Sequence, residues 1–303
     1  MNLTALTAGI AENTLATRVA NFVELTKPRI SLLVLFSVAA AGFAATGEAT
    51  SIWVIINAVL GTGLVAASAT IGNQILEIES DGKMARTAGR PLPSGRVSAG
   101  EALGLMTATG LIGAIYLALA VNHLAAYLGI LTWALYVAIY TPLKRHSSWN
   151  TAAGAIPGAM PVLIGWAATE APISGQCASL FLILFLWQFP HFMAIAWIYR
   201  NDYRAGRQKM LTVTEPSGRA AGWLAVGTAL ALLPVSIWPA IEMGLTRPTS
   251  VAYLVLVTTL SVWQLWIAIR FLASRNDRTA RRLLRASLIY LRSMLLIFAL
   301  LLR

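Results

Sequence analysis

Residues 52–76 read IWVIINAVLGTGLVAASATIGNQIL, a run from Ile52 to Leu76 without one charged side chain. A helix needs roughly 20 apolar residues to cross about 30 Å of hydrocarbon, and this run is long enough. Similar apolar stretches extend from Ile30 to Thr46, Ala102 to Val121, Ala125 to Tyr140, Thr151 to Ala168, Ala178 to Tyr199, Ala220 to Ala240, Ser250 to Ile269 and Ala286 to Leu302. Nine helical spans are therefore predicted. The chain of 303 residues is 57% hydrophobic and only 12% charged. A soluble domain of that balance would expose large apolar patches to water, so the bilayer is the expected solvent. The predicted fold class is all-α and polytopic: a cytoplasmic N-terminal segment over residues 1–29, then a single transmembrane domain over 30–303.

Orientation follows from the basic residues, because short loops rich in Lys and Arg stay on the cytoplasmic side. Of the 23 Lys and Arg, all but Arg247, Arg303 and Arg292 fall before the first span or in alternate loops, those after the second, fourth, sixth and eighth. The N-terminus is thus expected on the cytoplasmic side. Arg292 lies inside the ninth span, where it either snorkels to the cytoplasmic surface or lines a cavity. The net charge of +11 is read as this topology signal and as contact with anionic lipid, not as nucleic-acid binding. The first residues lack the basic start and apolar run of a secretory signal, and Glu12 and Glu24 argue against a transit peptide, so this segment is expected to be retained. The single Cys177 excludes an internal disulfide and a cysteine-clustered metal site, and reads as a small apolar residue near a helix end.

The polar residues that carry chemistry gather at helix ends. After the second span the chain reads Asn73-Gln-Ile-Leu-Glu77-Ile-Glu79-Ser-Asp81-Gly-Lys83-Met-Ala-Arg86-Thr87-Ala-Gly-Arg90. Asn73, Glu77 and Asp81 are four apart, a spacing that places them on one helix face, with Glu79 pointing elsewhere. Stacked carboxylates at a membrane boundary call for a cation. Amide and carboxylate oxygens suit Mg2+, which commonly binds a substrate phosphate as well. Lys83, Arg86 and Arg90 follow within ten residues and could surround that anion.

A second cluster closes the sixth span: Tyr199-Arg200-Asn201-Asp202-Tyr203-Arg204, then the basic run Gly206-Arg207-Gln208-Lys209-Met210. Asp202 and the helix-end segment Tyr140-Thr-Pro142-Leu-Lys144-Arg145 are expected on the same side as Asp81, with Pro142 ending its helix. Deeper in the sixth span, Trp187-Gln188-Phe-Pro190-His191-Phe192 is polar for a lipid-facing segment. Eleven residues separate His191 from Asp202, so an unbroken helix would hold both on one face roughly 16 Å apart. His191 reads as a buried hydrogen-bonded residue, a heme ligand or a proton carrier. His123 and His146 read as surface residues. Pro157, Gly158 and Pro161 imply a kink and close packing. Asn150 and Thr151 are candidate caps, and the tryptophans read mostly as interface anchors or packing.

These residues resemble the UbiA superfamily of intramembrane prenyltransferases, and within it the heme O synthases. The resemblance rests on Thr26-Lys27-Pro28-Arg29, Asn73 to Asp81 with Met84 to Leu92, Tyr140 to Arg145, Trp149-Asn150-Thr151, Gly154 to Gly158, Gly165-Trp166, Trp187 to Phe192 and Asp202-Tyr203, and it covers nearly the whole chain. It implies a nine-helix bundle in which Mg2+ holds farnesyl diphosphate at two acidic motifs while farnesyl passes to a vinyl group of heme b. Carried onto this sequence, Asn73, Glu77, Asp81 and Asp202 would be the metal and catalytic residues. Arg86, Arg90, Lys144 and Arg145, with Lys83, Tyr140 and Tyr203, would hold the diphosphate, and His191, Gln188 and Trp187 would meet heme. Position 77 is Glu where the superfamily commonly has Asp, and the loop at Asp202 carries one acid where quinone-pathway members usually carry two.

The implied setting is the bacterial inner membrane with a cytoplasm-facing site, a lipid bilayer for partner, and a downstream heme A synthase as a candidate consumer of the product. Two other readings stand beside this one. An aromatic prenyltransferase of quinone biosynthesis is disfavoured by Pro190-His191 and the solitary Asp202. A transporter or lipid-binding membrane protein would place its polar site nearer the bilayer midplane than these helix ends lie.

Overall fold

The structure, a computed structural model, describes residues 14–45, 51–244 and 246–301. Glu12, the expected span ends Thr46 and Leu302, and Arg303 lie outside the described residues. The order is α1 (Leu15–Leu25), α2 (Pro28–Ala45), α3 (Ile52–Leu76), α4 (Ile78–Gly82), α5 (Ala99–Ala120), α6 (His123–His146), α7 (Asn150–Ala168), α8 (Gly175–Ile198), α9 (Arg200–Ala205), α10 (Leu211–Thr214), α11 (Arg219–Met243), α12 (Pro248–Ala273) and α13 (Asp277–Leu301). No strand occurs among the described residues. In hydrocarbon only a helix satisfies its own backbone groups within one segment, which accounts for the all-α outcome. Eight of these helices, α3, α5 to α8 and α11 to α13, are long and apolar enough to span; α1 with Ile30–Ala45, bent by 57°, makes a ninth if counted as one.

Several expected boundaries move for physical reasons. Pro142 does not end its helix. Ahead of it the helix widens to π geometry over Leu135–Tyr140, so that the Thr141 N–H donates to Tyr136 O, five residues back. The wider turn accommodates a proline that would otherwise clash with the preceding turn, and α6 continues to His146. The last helix begins at Asp277, well before Ala286. The exposed Arg278, Arg281, Arg282 and Arg285, read from sequence as loop, form the polar face of its first turns. Conversely, α8 stops at Ile198 and Tyr199 breaks the helix at φ −106°, so His191 and Asp202 do not share one continuous face. Asn150 lies inside α7 and caps nothing by accepting; its amide donates to Ser147 O at 2.6 Å and Lys209 O at 3.0 Å.

Close backbone approach organises the bundle. A Cβ on Gly165 of α7 would lie 2.1 Å from Val38 O of α2, and one on Gly113 of α5 would lie 2.9 Å from Val65 N of α3. Small residues at such crossings let helices gain packing contacts that lipid would otherwise supply. The largest core joins α2, α7, α8, α11, α12 and α13 around Trp166, Leu180, Ile183, Tyr253, Tyr290 and Phe298. A second joins α8, α11, α12 and α13 around Trp197, Phe271 and Leu283. The segment before residue 30 is helical and tied down. Arg18 pairs with Glu101 at 2.6 Å, Arg96 with Glu24 at 2.9 Å, and Gln74 Nε2 donates to Leu25 O at 2.7 Å. That anchoring carries Lys27, at φ +48°, to the end of α3.

Candidate active site

Helix α3 ends at Leu76, yet the spacing of four survives the break. The Glu77 N–H donates to Asn73 O at 3.1 Å and the Asp81 N–H to Glu77 O at 2.7 Å, so the pattern of one helical turn continues into α4. Asn73, Glu77 and Asp81 are all buried, at 2%, 5% and 1% exposure. Buried carboxylates are expensive unless paired and hydrogen-bonded, and each of these has a cation from another part of the chain. Lys144, near the end of α6, sits 2.9 Å from Glu77 Oε1, and Arg90 pairs with Asp81 Oδ2 at 2.6 Å. Lys27 Nζ donates to Asn73 Oδ1 at 3.0 Å, and Asn73 Nδ2 donates to Glu77 Oε2 at 3.0 Å and to Thr141 Oγ1 at 3.1 Å.

These groups wall a polar pocket of about 510 Å³, closed by Arg86, Tyr136, Tyr140, Tyr203, Gln208, Met84 and Met210. Four basic side chains, Lys27, Arg86, Arg90 and Lys144, face two carboxylates, Glu77 and Asp81, with the pKa of the Lys27 ammonium lowered to about 7 by burial and by the neighbouring Arg90 and Lys144. The pocket therefore carries surplus positive charge and suits a polyanion. The Arg86 guanidinium stacks over the Tyr199 and Tyr203 rings, at 4.7 and 5.8 Å to their centroids, and Lys144 lies 4.6 Å from the Tyr140 ring centroid. Burial pushes the Tyr203 phenol above its ordinary range, so it remains a hydrogen-bond donor.

The loop after α9 completes the wall by alternation. Gly206, Gln208 and Met210 are buried whereas Arg207 and Lys209 are exposed, a period of two that turns every second side chain inward. The Lys209 N–H donates to Lys144 O at 2.7 Å, and Gln208 Nε2 reaches Glu77 Oε1 at 3.3 Å. The basic character of this run thus belongs to its outer face. Asp202 is half-buried and does not line the pocket; its neighbour Tyr203 does. Lys83 and Arg145 also stand outside, on an adjoining recess with Arg207, where Lys83 pairs with Glu79 and Arg145 Nη1 lies 4.0 Å from the same carboxylate. Lys83 holds the exposed Glu79 carboxyl below its usual range.

Tyr136 also borders a second, apolar cavity of about 650 Å³ that runs deeper between α2, α3, α6 and α7 past Val34, Val65, Ala69, Trp133, Pro157 and Ile164. A charged chamber thus adjoins a greasy one, with Tyr136 on the wall of both. Trp187, Gln188 and His191 line neither. Trp187 Nε1 donates to Ser287 O at 2.6 Å, Gln188 Nε2 to Ala155 O at 2.9 Å, and His191 Nδ1 lies 2.9 Å from Ser287 Oγ with its ring stacked on Trp187. Their polarity knits α8 to α7 and α13, and Gln188 sits directly behind Gly158, where a Cβ would meet its Oε1 at 1.9 Å. Arg292 is exposed and borders an open groove among Leu32, Leu33, Phe36 and Leu296.

The donor chemistry of the polar pocket fits Mg2+. Among the described residues no three His, Cys, Asp or Glu side chains cluster closely enough to cage a metal alone. Two carboxylates and an amide leave positions for water and phosphate oxygens, the habit of Mg2+ at phosphate sites. Sequence reasoning missed Lys27, Met84, Tyr136, Gln208 and Met210 as wall residues. For Lys27 the signal is present in the sequence, since Thr26-Lys27-Pro28-Arg29 carries part of the family resemblance and sets a lysine against the start of an apolar span. Gln208 was hidden between two basic neighbours.

The UbiA prenyltransferase family matches residues 34–294 of the chain. The protoheme IX farnesyltransferase of Solibacter usitatus strain Ellin6076 is 42% identical over 281 residues, covering 89% of this chain and 94% of that protein. In three dimensions the chain is similar to the structure of a digeranylgeranylglyceryl phosphate synthase, with a TM-score of 0.77 at 16% identity, covering 94% of this chain and 98% of that one. It is also similar to a UbiA homolog from Archaeoglobus fulgidus bound to GPP and Mg2+, with a TM-score of 0.67 at 13% identity over 92% and 100% of the two chains.

Proposed function

The chain belongs to the UbiA prenyltransferase family, and on that premise we propose that it transfers the farnesyl group of farnesyl diphosphate to a vinyl group of heme b, giving heme O and diphosphate. The observation that carries this reading is the shared wall at Tyr136, where a pocket rich in cations meets an apolar cavity. A diphosphate head with an isoprenoid tail needs those two environments in that order. The farnesylating relative at 42% identity favours heme over a quinone-precursor ring as acceptor.

Lys27, Arg86, Arg90 and Lys144 hold the diphosphate and stabilise the charge that grows on its oxygens as the bond to farnesyl C1 breaks. Tyr140 and Tyr203 donate hydrogen bonds from the pocket wall, while Lys83 and Arg145 draw the anion in from the outer recess. Asn73, Glu77 and Asp81 would hold Mg2+, with Asp202 a further candidate ligand beside the pocket; the metal would supply positive charge to the leaving group. The apolar cavity around the tail keeps water from the allylic carbon. A vinyl carbon of heme forms the new bond to C1, the adjacent side-chain carbon takes the oxygen of a water, and one proton leaves. His191 offers Nε2 to the heme side, because Nδ1 faces Ser287 Oγ, and Trp187 stacks on its ring.

The basic loops support a site facing the cytoplasm of a bacterial inner membrane. The product suits a heme A synthase as its consumer. The test is mass spectrometry of heme extracted from cells with and without the gene: farnesylated heme that depends on the gene supports the reading, and unchanged heme b in both would remove it.

A further inference from the structure

Beyond the apolar cavity lies a second one of about 750 Å³ that opens on the outer face of the bundle between α3, α5 and α6, past the exposed Thr107, Leu111 and Ile130. Among the described residues, Val65 and Trp133 alone border both spaces, so their side chains are the partition. The partition is held in place. Trp133 Nε1 donates to Ser68 Oγ at 3.0 Å, and the Ser68 hydroxyl donates to Met106 O at 2.8 Å. Ser68 is 1% exposed, so this relay from α6 through α3 to α5 is shielded from competing water. Trp133 also stands just before the π-widened turn that carries Tyr136 and Tyr140 to the polar pocket. Trp133 is thus held in place one helical turn deeper than Tyr136.

We propose that Trp133, positioned by Ser68, limits the length of the prenyl chain this protein accepts. This rests on the prenyl-transfer reading above. A tail seated with its diphosphate in the polar pocket runs past Tyr136 and ends against the indole. Without that ring the inner cavity and the outer groove become one channel, and a tail with an additional isoprene unit can thread out toward lipid. The exclusion is steric, because the channel beyond the wall is already apolar and offers a longer tail no other penalty. Tryptophan at this place therefore does more than anchor an interface.

The experiment supplies purified protein in lipid nanodiscs with heme b, Mg2+ and an equimolar mixture of farnesyl and geranylgeranyl diphosphate, and reads the two prenylated hemes by mass spectrometry. Wild type is expected to make the farnesyl product predominantly. Trp133→Ala is expected to raise the geranylgeranyl-to-farnesyl ratio by at least about tenfold, the scale on which a hydrophobic wall discriminates. Trp133→Leu and Ser68→Ala, which keep the packing closer to native, should shift the ratio in the same direction by less. An unchanged ratio in whichever of these variants still farnesylates heme overturns the proposal. Absence of both products from wild type would instead overturn the farnesyl-transfer reading, so the two failures are distinguishable.

Discussion

Lys144 Nζ lies 2.9 Å from Glu77 Oε1, joining helices 67 positions apart in sequence with both side chains nearly withdrawn from solvent, at 12% and 6% exposure. Glu77 is also the residue at which α3 breaks. The pair therefore fixes where the first acidic motif turns over the pocket. Glu77→Gln leaves Lys144 buried without its counter-charge and removes a proposed metal ligand. Its kcat/KM is expected to fall about 10²- to 10³-fold, on the scale of losing one group that stabilises developing charge. Thermal unfolding in detergent should show Glu77→Gln and Lys144→Met each strongly destabilised, and the double variant less than additively so. Additive losses would show that the contact does not couple the two helices.

Lys27 is expected to act on the diphosphate rather than on the fold. It donates to Asn73 and lines the polar pocket, yet it belongs to the connection between α1 and α2 and not to a helix core. Lys27→Met should raise KM for farnesyl diphosphate about tenfold, the cost of one charge-assisted contact, and leave KM for heme b unchanged. Steady-state kinetics with each substrate varied in turn decides it. Equal changes in both constants would move Lys27 from the substrate to the scaffold.

How much of this was legible beforehand divides along the kind of signal. Charge-free runs gave the helices, and the spacing of Asn73, Glu77 and Asp81 gave one wall of the pocket, because both are periodicities of a single segment. The remaining wall is assembled by tertiary contacts that periodicity does not encode. Gln208 turns inward where its own N–H bonds Tyr203 O and the Lys209 N–H bonds Lys144 O, both contacts outside its own segment's periodicity. Arg278 to Arg285 read as loop because charge ended the span, although a helix can carry arginines on one face once that face is solvated. Asp202 matched the expected motif, but the break at Tyr199 sets it beside the pocket rather than in its wall.

Gly165 and Gly158 make a matched pair for stability. A methyl at Gly165 meets the Val38 carbonyl, which is backbone, whereas one at Gly158 meets the end of the Gln188 side chain. Backbone cannot swing aside, so Gly165→Ala is expected to cost about 1–3 kcal/mol by overpacking and Gly158→Ala less. Melting temperatures of the two purified variants test the order; a larger loss at Gly158 contradicts it.

His191 contributes to heme binding through Nε2 if the proposed acceptor geometry holds. Titrating heme b into wild type and His191→Ala should then give different Soret bands. Identical spectra would leave His191 as a packing residue between α8 and α13, the part its bond to Ser287 already supports.

The most direct measurement of the central claim reconstitutes purified protein in liposomes with farnesyl diphosphate, heme b and Mg2+ and follows the porphyrin by mass spectrometry. Heme should gain one farnesyl group and one hydroxyl group, the reaction should stop on chelation of Mg2+ and resume on its return, and Asp81→Asn should abolish it. Unmodified heme b from wild type, or full activity in Asp81→Asn, would contradict the account.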